Sequence, residues 1–61
     1  MSGMYAEERH QAIASLARKH GRVSVAELAE RFDVTSETIR RDLDSLARRG
    51  LLTRVHGGAV P

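Results

Sequence analysis

The segment Thr35-Ser36-Glu37-Thr38-Ile39-Arg40-Arg41 gathers three hydroxyls, one carboxylate and two adjacent guanidinium groups within seven residues. Short hydroxyl side chains and arginine make the hydrogen bonds that base edges offer in a duplex groove, and arginine also neutralises phosphate. Catalytic chemistry finds no comparable cluster. His10, His20 and His56 are far apart in sequence, and no nucleophile-base pair or phosphate loop is present. The chain has no Cys, which removes both a disulfide scaffold and a cysteine zinc site. The expectation is a binding module: not an enzyme, with no cofactor and no metal.

A groove can be read only if a helix presents these side chains together. With Ile39 set at 0°, steps of about 100° put Glu37 at about 160°, Arg41 at about 200°, Ser45 at about 240° and Thr38 at about 260°. All four point away from Ile39, so a helix that buries Ile39 turns them outward. Arg40, at about 100°, stands on the flank, better placed for a phosphate than for a base. Its alternative is an intrahelical pair with Glu37 or Asp44. Arg41 suits a base or phosphate contact, against a plain solvated arginine. Glu37 either accepts from a cytosine amino group or simply favours the helix start.

The punctuation of the chain supplies that helix and its supports. Helix one runs from Ala6 to Lys19, with Tyr5, Ala12, Ile13, Leu16, Ala17 and His20 on one side, and Gly21 closes it. His20 reads as a partly buried capping residue. Arg9 falls inside this apolar stripe, where it either snorkels or, as we expect, pairs with a carboxylate such as Asp42. Arg22-Val23-Ser24 is a strand stub, and Ser24-Val25-Ala26-Glu27 matches a capping box that starts helix two, with Val25, Leu28, Ala29 and Phe32 as its buried stripe. Asp33-Val34 makes a tight turn. Thr35 caps helix three, Ser36 to Arg49, which buries Ile39, Leu43, Leu46 and Ala47; Gly50 closes it, with Arg48 and Arg49 complementing its negative end. Leu51 to Val55, His56-Gly57-Gly58 and Ala59-Val60 read as a hairpin.

Ala29, Asp33 and Ile39 hold the small residue, the turn residue and the buried aliphatic that a helix-turn-helix needs at this spacing. Asp33 replaces the glycine usual at the turn, and Asp tolerates positive φ better than most residues. The fold class is therefore small α+β, mainly helical: a winged helix-turn-helix of three helices plus a C-terminal hairpin wing, to which the stub can add a third strand.

Sixty-one residues make at most one small domain, assigned to residues 6–61, with 1–5 as a disordered lead-in whose Met1–Gly3 are a cloning remnant or precede an alternative start at Met4. No apolar run approaches a membrane span and no signal peptide is evident, so the expected location is the cytoplasm, with no membrane partner. The formal charge of +2 is distributed as +2 over residues 1–22, −2 over 23–35 and +2 over 36–61. That is a weak field for a polyanion partner. It keeps open a winged helix that docks a protein or double-stranded RNA instead.

Val25-Ala26-Glu27-Leu28-Ala29-Glu30-Arg31-Phe32, Thr38-Ile39-Arg40-Arg41-Asp42-Leu43 and Gly50-Leu51-Leu52-Thr53-Arg54-Val55-His56-Gly57-Gly58-Ala59 together resemble the DNA-binding domain of DeoR-type bacterial repressors, from about Ala6 to Pro61. The resemblance implies sequence-specific binding of double-stranded operator DNA in a transcriptional regulator, with the motif spanning Val23 to Asp42. It implies a larger C-terminal domain, absent from this chain, that senses a phosphorylated sugar or related metabolite and assembles a homo-oligomer. It also implies contacts from Arg54 and His56 at the wing, where a plain glycine turn is the alternative. The expected DNA-facing set is Ser24, Thr35, Ser36, Glu37, Thr38, Arg40, Arg41, Ser45, Arg54 and His56.

Overall fold

The computed structural model describes residues 4–61, so the expectation for Met1–Gly3 lies outside the described residues. Along the chain come α1 (Ala6–His20), β1 (Val23–Ser24), α2 (Val25–Phe32), α3 (Ser36–Arg48), β2 (Thr53–Val55) and β3 (Gly58–Val60). This is the winged helix-turn-helix order: three helices, then a hairpin.

Each helix ends where local chemistry stops it. At the start of α1 the Tyr5 N–H donates to the Glu8 carboxylate at 3.0 Å, so Tyr5 is the cap and does not join the buried face. The residue is 78% exposed. Gly21, at φ 79°, closes α1 by donating its N–H to the Ala17 carbonyl at 2.7 Å. The backbone alone performs that closure, and His20 is consequently exposed, not the partly buried cap expected. Helix α2 begins with Ser24 Oγ accepting from the Glu27 N–H at 3.2 Å. The return bond of the capping box does not form: Ser24 is also a strand residue, paired with Gly58, and Glu27 stays exposed.

The turn between α2 and α3 rests on Asp33, at φ 56° and ψ 49°. The Asp33 N–H donates to the Glu30 carbonyl at 3.3 Å and the Val34 N–H to the Ala29 carbonyl at 3.0 Å, which satisfies the last carbonyls of α2 within one turn. Helix α3 ends at Arg48, one residue before the expected boundary. Bonds from the Gly50 N–H to the Ala47 carbonyl and from the Leu51 N–H to the Leu46 carbonyl, both 3.0 Å, form a Schellman closure. This closure takes up Leu51, so the wing strand starts only at Thr53, two residues after its expected start. Leu51 is left exposed and Leu52 drops into the core.

Strands β2 and β3 pair antiparallel with Val55 opposite Gly58, leaving His56-Gly57 as a two-residue turn with Gly57 at φ 73°. Strand β1 pairs antiparallel with β3, giving the order β1-β3-β2. A side chain at Gly58 would collide with the Val23 carbonyl, so β1 lies against the wing only because this residue is glycine.

The core forms where the three helices meet this sheet. Ile13, Ile39, Leu43 and Leu46 are its largest fully buried side chains, joined by Ala17, Val23, Val25, Leu28, Leu52 and Ala59. Each buried Val, Leu or Ile contributes about 1.5–3 kcal/mol, and half of this set lies on α1 and α3, including the four largest side chains, which fixes the roll of α3 about its own axis. Ala29 and Phe32 are half-buried against this core. Ala14, outside the expected stripe, is buried.

Candidate nucleic-acid interface

With Ile39, Leu43 and Leu46 committed to the core, the outward face of α3 is determined by helix geometry. Thr35 caps the helix, accepting from the Thr38 N–H at 3.1 Å, and its hydroxyl donates to the Thr38 hydroxyl at 3.0 Å. That arrangement leaves the Thr38 proton for an outside acceptor. Ser36, Thr38 and Ser45 are half-buried, while Glu37, Arg40 and Arg41 are exposed. Arg41 Nε lies 3.7 Å from Glu37 Oε2, with the two side chains 79% and 67% exposed. Such a pair contributes a few tenths of a kcal/mol and opens easily for another ligand. Arg40 makes neither of its alternative intrahelical pairs: Glu37 faces Arg41, and Asp44 is held by Arg54.

Beneath this face lies the one buried charge among the described residues. Asp42 is 4% exposed. Arg9 grips it with two nitrogens, Nε to Oδ2 and Nη2 to Oδ1, the latter at 3.0 Å, and His10 Nε2 lies 2.8 Å from Oδ1. Burial alone pushes the Asp42 carboxyl up, but hydrogen bonds from Arg9 and His10, with their charges, outweigh it and hold the group below its ordinary value. The same bond to Asp42 raises the Arg9 guanidinium, against a smaller opposing effect of burial. The expected Arg9–Asp42 pair is thus present, and it anchors α3 to the first turns of α1.

At the wing, the Val25 N–H, unsatisfied within α2, donates to the Gly57 carbonyl at 2.9 Å. Arg22 Nη2 donates to the His56 carbonyl at 3.3 Å. These bonds place Ser24 beside the turn that carries the exposed His56. Arg54 bends back: Nε donates to the Gly58 carbonyl at 3.3 Å and Nη1 to Asp44 Oδ1 on α3.

A family model described as a DeoR-like helix-turn-helix domain matches residues 9–61. The chain belongs to this family. DeoR-like domains of this kind are the DNA-binding part of transcriptional regulators. Among its relatives are an L-fucose operon activator of Haemophilus influenzae, 52% identical over 85% of this chain and 21% of that protein, and a glycerol-3-phosphate regulon repressor of Escherichia coli, 49% identical over 87% and 21%. A lactose phosphotransferase system repressor of Streptococcus mutans is 48% identical over 92% of this chain and 22% of its own length. The chain thus spans about one fifth of the length of the curated relatives it matches. No solved structure matches it. Among the described residues, no helix of the DeoR-like domain is long and apolar enough to cross a membrane.

Two contacts of this DeoR-like domain escaped the sequence reading. His10 sits off the apolar stripe, so periodicity gave no sign that it would reach Asp42. The bond from Arg54 to Asp44 joins residues ten apart across the end of a helix, and depends on where the Schellman closure aims the wing.

Proposed function

We propose that this domain reads operator DNA with the outward face of α3 and supports it with the wing, as the DNA-binding part of a bacterial regulator, acting as a repressor, of sugar or related metabolite genes. The observation that carries the reading is the outward set Thr38, Arg40 and Arg41 on a helix whose opposite face is sealed by Ile39, Leu43 and Leu46. At ~1.5 Å per residue the thirteen residues of α3 span ~20 Å, and such a helix enters a major groove of ~12 Å width. Glu37, Thr38, Arg41 and Ser45 face bases in this reading, and Arg40 faces phosphate. Ser24, Thr35 and Ser36 offer hydroxyls at helix starts, and His56 is the candidate at the wing. The names of the relatives, which include a fucose operon activator and glycerol-3-phosphate and lactose system repressors, support sugar-linked control. Homo-oligomerisation and recognition of a phosphorylated sugar belong, in this proposal, to a downstream domain, and the cytoplasm is the compartment where the protein works.

Fluorescence-anisotropy titration of a labelled random-sequence DNA duplex tests the reading. We expect salt-sensitive binding with a Kd of about 10⁻⁴–10⁻⁶ M at physiological salt, tightening as salt is lowered. The modest charge of +2 favours, as a second reading, a module that docks protein or double-stranded RNA. No DNA binding at low salt, or preferential binding of double-stranded RNA in competition, decides for that second reading.

A further inference from the structure

We infer that Arg54 is a positioning residue that latches the wing to the reading helix through Asp44, and that it does not contact DNA; this rests on the DNA reading above. From Ile39 at 0°, Asp44 falls at about 140°, between Arg40 and Glu37, on the side of α3 that the reading turns toward DNA. A carboxylate there repels phosphate unless a cation sits on it. Arg54 supplies that cation with Nη1, and with Nε it holds the Gly58 carbonyl at 3.3 Å. One planar guanidinium thus bridges α3 and the first residue of β3, immediately after the His56-Gly57 turn.

The placement has two effects. Arg54 is only 32% exposed on its side chain and its fork is engaged twice, so it is poorly free to meet a phosphate. The wing turn is tied to α2 by the Val25–Gly57 bond and to α3 by Arg54, so both helices of the motif and the wing move as one body. A body already rigid in its bound shape loses less entropy on binding, and the gain falls on the specific complex, where every contact must register together. Losing the latch therefore lowers discrimination between duplexes more than it lowers overall attraction.

The two variants Asp44→Asn and Arg54→Gln separate this role from plain electrostatics, because for Asp44→Asn a bare charge effect tightens every duplex alike and leaves the ratio of Kd values unchanged, whereas loss of the latch lowers that ratio. Removing a carboxylate from a DNA-facing surface should tighten all duplex binding if charge is all that matters. If the latch operates, Asp44→Asn lowers the ratio of Kd values for a random duplex over a duplex selected from a random pool by the wild-type chain, by about threefold, in keeping with a partly exposed ion pair. Arg54→Gln lowers it by a similar factor, the double variant is no worse than either single one, and the slope of log Kd against log salt is unchanged. In the free protein, amide exchange at Gly57 and Gly58, followed by NMR, quickens by a comparable factor in both variants. An Arg54→Gln slope smaller by about one, with Asp44→Asn binding every duplex more tightly, makes Arg54 a phosphate contact and overturns the proposal. Unchanged amide exchange in both variants overturns it as well. A wild-type chain that binds no duplex brings down the DNA reading itself, and the exchange data then show only whether the bridge holds the wing.

Discussion

Asp42 is held by three nitrogen atoms, from Arg9 and His10, on the inner side of the helix that carries the outward arginines. Breaking a buried ion pair by deleting one partner costs about 3–5 kcal/mol, comparable with the entire stability a domain of this size achieves. Asp42→Ala should therefore leave the chain largely unfolded at 25 °C by circular dichroism. Acid acts on the same group. The folded carboxyl lies below its ordinary value of 3.8, so its stabilisation is complete above that pH and is lost as pH falls through the lower folded value. Thermal midpoints should fall below about pH 4, and more steeply in the native chain than in Asp42→Asn, which has no carboxyl there to titrate. On the outer side, Arg41→Ala should cost about 1–3 kcal/mol of discrimination between a selected and a random duplex, while Arg40→Ala weakens both about equally. Equal behaviour of both variants on both duplexes would remove this face from the interface. The pair Arg9–Asp42 was legible because a cation inside an apolar stripe either snorkels to its edge or meets an anion, and Asp42 was there to be met. His10 was not, since its partner depends on where α1 crosses α3, and no local pattern records that crossing.

At the scale of elements, the helices were legible through their ends. Gly21, Ser24, Thr35 and Gly50 act on the backbone within a few residues of themselves, and each stands where its local chemistry placed it. The wing strand was less legible. Its apolar start at Leu51-Leu52 matches a strand pattern, yet the Schellman closure of α3 claims Leu51 and the core claims Leu52. The turn offers a direct test. Asp33 holds φ 56° with a Cβ, a conformation glycine adopts without that cost, so Asp33→Gly should stabilise the fold by up to about 1 kcal/mol, or some 4–8 °C in Tm. Ala29 packs half-buried against the core and its carbonyl receives the Val34 amide, so Ala29→Leu forces α2 away from its neighbours at about 1–3 kcal/mol. An unchanged melting midpoint for Ala29→Leu would show that no close approach occurs there.

As a whole the molecule measures 30 × 20 × 19 Å, smaller than the ~34–36 Å between the centres of half-sites one helical turn apart. On the proposed DNA reading, two such domains fit side by side on one face of a duplex, and one alone covers a single half-site. Joining two copies by a flexible linker should raise affinity for a duplex with paired half-sites by at least about 10²-fold over one copy, measured by anisotropy, and leave affinity for an isolated half-site nearly unchanged. Equal gains on both duplexes would mean that the second copy adds only charge. Net charge and size were plain from the sequence, but the arrangement of the sheet was not, because a two-residue strand carries too little pattern to name its partner. That arrangement bears on how the domain is born. Strand β3, residues 58–60, lies between β1 and β2 and brings the buried Ala59 to the core. Synthesis proceeds from the N-terminus, so the three helices emerge before the middle strand of the sheet. During translation the nascent chain must carry an open Val23 edge and an unlatched wing until residue 60 is clear of the ribosome. The sheet that joins β1 to the wing therefore closes only after all three helices have been made.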